Sequence, residues 1–352
     1  MRTDPIIAAI TVGAACASAC FHPTFDDPTC GPRGECPGGY ACNAIGICKP
    51  GVVGPGLDAA SLDAASLDGA GLDGAIGAGD CLARWLNGTV AFAVPRELAS
   101  LSSAGNEGGP WISGDRLTLY FTSGANEPAI YRASRASVGL DFGTVQLISS
   151  VGLDSGPSLT ADETALVFSS VRPSTTYDSE IYIAVRSDPQ TEFGSADKKH
   201  LGNLNSSVQN LVDPFFAADG RKLYLAYNPV VGSGLLRIGL TTRADTVSDF
   251  GPPIAVPVIS ALDAVNRAPA VSKDERIIVF SSDRSGGSGG TDLWYATRPD
   301  AAHDFGAPAL IPGVNSPASD DDPMLSADGC ELYFSSSRNG DNYDLYVAQI
   351  AS

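Results

Sequence analysis

The sequence predicts an all-β fold, a five-bladed β-propeller of four-stranded blades, and three observations carry that expectation. First, Pro110, Pro157, Pro214, Pro269 and Pro323 recur at intervals of 47 to 57 residues, each followed five positions on by an Asp (Asp115, Asp162, Asp219, Asp274, Asp328). Leu or Ile stands nine positions after each Pro (Leu119, Leu166, Leu223, Ile278, Leu332) and Phe or Leu eleven after (Phe121, Phe168, Leu225, Phe280, Phe334). A period this long with a fixed register marks supersecondary units that must stack to bury their faces. Second, each copy holds four strand-sized runs and no amphipathic helical window, which is what a propeller blade requires. Third, the two ends complement one another, as set out below.

The copy from Asp321 to Ala348 is the most regular. A short extended run follows Pro323 and turns at Asp328-Gly329, a strong hairpin signal. Glu331 to Ser335 forms the second strand, a Ser/Arg/Asn/Gly/Asp loop follows, and Asp344 to Ala348 is the third. In the earlier copies a Phe-Gly pair (Phe142-Gly143, Phe193-Gly194, Phe250-Gly251, Phe305-Gly306) introduces a fourth. The chain stops at Ser352, one strand short of a fifth blade, while Thr89 to Leu98 precedes the first copy with no blade of its own. Donating that run to the last blade closes the ring and protects its open edge. The propeller is expected over residues 81–352.

Ahead of it lie three further segments. Residues 1–19, with Arg2 and an apolar stretch ending in Ala17-Ser18-Ala19, read as an export signal too short to span a bilayer. Small residues before Cys20 make it the expected lipidation site, with plain secretion after the same site as the other reading. Residues 20–50 hold Cys30, Cys36, Cys42 and Cys48, five residues between neighbours, in a Gly/Pro-rich stretch that cannot build a core. Two disulfides are expected there, Cys30–Cys42 with Cys36–Cys48 preferred among three pairings. A zinc site is the rival, though the paired knuckle spacing is missing. Residues 51–80, with Asp after each of Leu57, Leu62, Leu67 and Leu72, read as an acidic low-complexity linker, since a five-residue step gives no helical stripe. Cys81 and Cys330 remain, and a bond between them would staple the ring.

Within the repeats, the stretches APAVSKDERIIVFSSDRSGGSGGTDLWYA (268–296) and NSPASDDDPMLSADGCELYFSSSRNGDNYDLYVA (315–348) resemble the TolB-type, WD-repeat-like propeller motif of bacterial envelope proteins. Copies one and three depart from it, lacking the Arg after the second strand and the acid before the third. The resemblance implies the propeller fold, a periplasmic or outer-membrane location, and a role in binding proteins.

Net charge is −18, from 40 acidic and 22 basic residues, without a basic cluster. Nucleic-acid binding needs such a cluster to displace counterions, so it is excluded. The richest loops join second to third strands. Candidate binding residues on that face are Arg284, Arg338, Asp320, Asp321, Asp322 and Asp213. The three consecutive Asp could ligate Ca²⁺, although Asp322-Pro323 also repeats Asp213-Pro214 as a device that starts a blade. Arg172/Glu180, Arg284/Asp292 and Arg338/Asp344 read first as ion pairs clamping their loops. None of His22, His200 and His303 belongs to a catalytic motif. The three residues after each Pro, expected to line the channel, contain no acid, so a glycoside hydrolase would have to recruit Glu107, Asp154 or Asp213. The expectation is therefore a monomeric, non-enzymatic platform without a resident cofactor, lipid-anchored in the cell envelope. A protein partner is preferred; glycan or peptidoglycan binding, or glycoside hydrolysis by rim carboxylates, is the alternative.

Overall fold

The structure is a computed structural model. It describes residues 40–42, 48–50 and 78–351, apart from 150–152, 172–178, 194–197, 207–208, 218, 231–233, 261–262 and 341. The export signal, Cys20 and the acidic linker up to residue 77 lie outside the described residues. In the Cys-rich segment two short strands, Tyr40–Cys42 and Cys48–Pro50, pair antiparallel and set Cys42 opposite Cys48. Cys30 and Cys36 lie outside the described residues, and the expected pairings with them. No described helix is long and apolar enough to cross a membrane.

Five four-stranded antiparallel sheets follow. Blade one comprises Glu107–Ile112, Thr118–Ser123, Ala129–Ser134 and Gly143–Ser149; blade two Ser155–Leu159, Ala165–Ser170, Glu180–Val185 and Lys198–His200. Blade three comprises Gln209–Phe216, Lys222–Asn228, Arg237–Thr242 and Ile254–Ala255; blade four Asn266–Val271, Ile277–Ser282, Asp292–Thr297 and Ala309–Leu310. Blade five takes Asp320–Leu325, Glu331–Ser336 and Asp344–Gln349 from the C-terminal end and Arg96–Glu97 from the N-terminal side. The expected closure is thus present, with Tyr346 opposite Glu97 and Val347 opposite Arg96.

The Pro-to-Asp register is the hairpin joining first and second strands. The hydroxyls of Ser113, Thr160, Ser272 and Ser326 donate to Asp115, Asp162, Asp274 and Asp328 at 2.5–2.6 Å. The same hydroxyls accept the backbone N–H of the residue five positions on, a local side-chain turn in the sense expected of Ser, Thr and Asp. Each second strand is sandwiched between neighbouring blades, so both of its faces are apolar. Leu119, Leu166, Leu223, Ile278 and Leu332 are fully buried, and so are Tyr120, Val167, Tyr224 and Val279 between them and the next position.

A second repeated device holds the far end of each blade. Arg135, Arg186, Arg243 and Arg298, at the ends of the third strands, stack over Phe142, Phe193, Phe250 and Phe305 at 4.2–4.6 Å. Their Nε atoms donate to the carbonyls of Arg116, Glu163, Gly220 and Glu275, the left-handed residues of the hairpins. Three of these arginines also reach a Tyr hydroxyl of the preceding blade: Arg186 to Tyr120, Arg135 to Tyr333 and Arg298 to Tyr224. Blade five has no such Arg. A helix that the sequence did not announce, Ala78–Leu86, supplies Trp85 in its place. The indole N–H donates to the carbonyl of Gly329 at 2.9 Å, and the ring packs edge-on against Phe92 at 5.5 Å. The same helix carries Cys81, joined by a disulfide to Cys330.

Candidate axial site

The first strands line the axis, and the residue before each Pro forms a ring around it: Gly109, Gly156, Asp213, Ala268 and Asp322. All five have left-handed backbone, with φ between 49° and 60°, a conformation that strains residues other than glycine. The cause is a bulge at this point of every first strand, where register against the second strand slips by a residue. The bulge lifts the ring residues' N–H groups out of their own ladder, and the neighbouring blade receives them. Gly156 donates to the Thr122 hydroxyl, Asp213 to Ser169 and Asp322 to Ser281, at 3.0–3.1 Å. Blade three has Ala226 where the others carry a hydroxyl, and there Ala268 donates to the Asp213 carboxylate at 3.2 Å. At the ring's closing seam Gly109 donates to the Asp322 carboxylate at 2.9 Å, which also accepts from Ser335 at 3.2 Å.

Two carboxylates therefore share the axis. They border a narrow axial cavity of about 40 Å³ and the adjoining mouth of about 250 Å³, on the face of the loops joining second to third strands. Thr122, Ser155, Arg267, Asp321 and Tyr343 also line that mouth. A side chain at Gly108 would collide with the Asp322 carboxylate at 2.6 Å, so glycine leaves that group room. Burial pushes the Asp213 carboxyl up to about 6, reinforced by the negative charge of Asp322 and opposed by Arg267 and the Ala268 N–H. A carboxyl raised by burial beside a second acid is a recurring feature of functional sites.

The other candidates stand back from the narrow axis, although Glu107 and Asp321 line its mouth. Arg338 pairs with Asp320 at 2.6 Å rather than with Asp344, and also donates to Ser336 and the Val314 carbonyl. Arg284 donates to Asn266, Ser282 and the Ile259 carbonyl rather than to Asp292, and lies over Phe280 and Trp294. Both are loop clamps, held through Nε and Nη2. Asp320 is fully buried, and Asp321 is buried and paired with Arg267. Glu107 and Asp154 are also buried, held by Ser103 and Ser123 in one case and Ser149 in the other. Of the acids the sequence offered, Asp213 and Asp322 reach the axis. Among the described residues, no three His, Cys, Asp or Glu side chains come together to hold a metal ion. Sequence reasoning placed the channel lining after each Pro, whereas the bulge puts it one residue before. The signal was Asp at that position in two copies where the others have Gly or Ala.

No protein-family model and no curated protein matches the chain. Among solved structures, an α-L-arabinofuranosidase from Lactobacillus brevis aligns at TM-score 0.51 and 16% identity, over 70% of this chain and 90% of that one. The α-L-arabinofuranosidase of Podospora anserina, solved with cellotriose, aligns at TM-score 0.51 and 11% identity, over 74% and 95%. TolB from Acinetobacter baumannii aligns at TM-score 0.45 and 17% identity, over 77% and 67%. At these identities the likeness is one of fold. The expectation of a non-enzyme is corrected to that extent: arabinofuranosidases are among the structures that share this propeller fold, and the supposed absence of acids from the channel rested on the wrong register.

Proposed function

We propose that the axial mouth is a glycan site and that Asp213 and Asp322 are the acid–base pair of a glycoside hydrolase. The observation that carries this reading is the pair itself, two carboxyls bordering one axial cavity, with the Asp213 carboxyl pushed up to about 6 by burial and by the charge of Asp322. In its protonated form Asp213 gives its proton to the leaving glycosidic oxygen. The Asp322 carboxylate, oriented by Gly109 and Ser335, takes a proton from the water that adds to the anomeric carbon. A mouth of about 250 Å³ suits a single sugar ring, below the range of drug-sized pockets, and Tyr343 offers an aromatic wall. We further propose that the protein acts exported and lipid-anchored in the envelope; the Cys81–Cys330 bond supports an oxidising compartment.

The test is hydrolysis of a panel of aryl glycosides (arabinofuranoside, xylopyranoside, galactopyranoside, glucopyranoside) across pH 4–8. At least one should turn over, with Asp213→Asn and Asp322→Asn each lowering kcat about 10²- to 10⁴-fold. A folded protein that neither cleaves any of them nor binds an immobilised glycan would remove the proposal.

A further inference from the structure

Three of the five seams between blades carry an ion-pair latch, and a fourth keeps only its acid. The residue before each clamp Phe is acidic in four blades: Asp141, Glu192, Asp249 and Asp304. Three of these meet a cation from the preceding blade: Arg96 to Asp141 at 3.0 Å, Arg132 to Glu192 at 3.5 Å and Lys199 to Asp249 at 3.0 Å. Arg96, Lys199 and Ile254 hold the same fourth-strand position, opposite Val347, Ile183 and Leu240 of their third strands. At the seam of blades three and four, the latch cation is thus replaced by Ile254, whose side chain is 77% exposed. Asp304 is exposed there and makes no hydrogen bond or ion pair among the described residues. The seam of blades four and five differs again. Ala309 and Ala91 take both places, and Trp85 packs against Tyr295 at 5.1 Å.

The unlatched seam is open. A largely apolar cleft of about 570 Å³ runs between the blades, lined by Leu240, Pro253, Ile254, Phe305 and Arg298, with Asp304 at its rim. Arg298 is engaged by Glu275 at 3.2 Å and by the His303 carbonyl, so it is not available to an acidic ligand. Pro252, Pro253 and Pro257 remove backbone donors around the short outer strand, which leaves side-chain insertion rather than strand addition.

We propose that this cleft docks a basic, apolar segment of a partner polypeptide. One Lys or Arg of the segment restores the latch on Asp304, and an adjacent aliphatic side chain covers Ile254 and enters the cleft. Charge complementarity points to a foreign partner: the chain is −18 overall, and its own residues 51–80 contain five Asp and no Lys or Arg. The site is separate from the axial pair and independent of the glycan reading.

The probe is a fluorescein-labelled, acetylated hexapeptide of alternating Leu and Lys, compared with Leu/Glu and Ser/Lys versions by fluorescence anisotropy on the full chain. The Leu/Lys peptide should bind saturably and at least 10-fold more tightly than either control, and more weakly in high salt. Ile254→Lys installs the missing cation in place, as Lys199 does one seam earlier. It should reduce peptide affinity at least 10-fold without lowering Tm, and Asp304→Asn should weaken binding and flatten its salt dependence. Equal binding of Leu/Lys and Leu/Glu peptides, binding unaffected by Ile254→Lys, or no binding at all would overturn the proposal. Concentration-dependent dimerisation abolished by Ile254→Lys would also overturn it, in favour of a second copy of this chain.

Discussion

Asp213 shares the left-handed backbone of the ring and accepts the Ala268 N–H that a hydroxyl takes at other seams, and it alone of the ring residues pairs that role with a carboxyl raised by burial and by a like-charged neighbour. Its sequence signal was weak, because Asp-Pro also reads as a way to start a blade, and the channel lining was expected after each Pro, which left Asp213 on the rim. Only the bulge, which one-dimensional periodicity cannot register, turns it toward the axis. The raised carboxyl makes stability depend on pH in a definite direction. A folded-state value near 6 against an ordinary 3.8 means that the folded protein holds the proton more tightly than the unfolded chain. The stabilisation is complete below about pH 4 and is lost as pH rises through about 6. It amounts to roughly 2 kcal/mol once coupling to Asp322 is allowed for. Urea unfolding at pH 4, 5, 6 and 7 should show wild type losing that amount relative to Asp213→Asn. Parallel curves for the two proteins would refute the assignment.

At the scale of the strand and its loop, the repeat contained more than its Pro-to-Asp register. Arg135, Arg186, Arg243 and Arg298 each stand seven residues before their Phe, and Trp85 stands seven before Phe92. That spacing was legible, and it would have located both the clamp and the helix that completes it. The helix itself was not: nine residues at the border of a Gly-rich acidic stretch give too short a window for a periodicity argument. Its order comes from the docking of Trp85 and Cys81, both fully buried against blade five. The clamp depends on guanidinium geometry. Arg186 serves the carbonyls of Glu163 and Thr191 and the hydroxyl of Tyr120 while its plane lies on Phe193. A lysine ammonium cannot reach three acceptors in that fork and stack as well. Arg186→Lys should therefore cost about 2–3 kcal/mol, with buried acceptors left unpaired. An equivalent change at exposed Arg221 should cost less than about 0.5 kcal/mol, and chemical denaturation of the two variants side by side separates the effects.

For the whole molecule, the question is what keeps the ring shut. Five blades, their order and the donated strand were all legible, because a period of 47 to 57 residues and complementary ends leave few other arrangements. The closing strand is only two residues long, Arg96–Glu97, with one further bridge between Phe92 and Ile350. So short a pairing contributes little by itself; Arg135 on Tyr333 and Gly109 on Asp322 tie blade five to blade one, and Trp85 and the Cys81–Cys330 bond tie the N-terminal side to blade five. That bond links positions 249 residues apart, and the chain-entropy model assigns a loop of that length about 5 kcal/mol of stabilisation. Cys330→Ser should accordingly lower the urea midpoint sharply, and reductant should bring wild type down to meet it. The clamp gives the control. Trp85→Phe keeps the ring but removes the donor to the Gly329 carbonyl, so it should destabilise oxidised and reduced protein by the same amount, about 1 kcal/mol. If reductant left the wild-type midpoint unmoved, closure would rest on Trp85, the strand and the seam contacts without the disulfide, and Trp85→Phe would then be more damaging than Cys330→Ser.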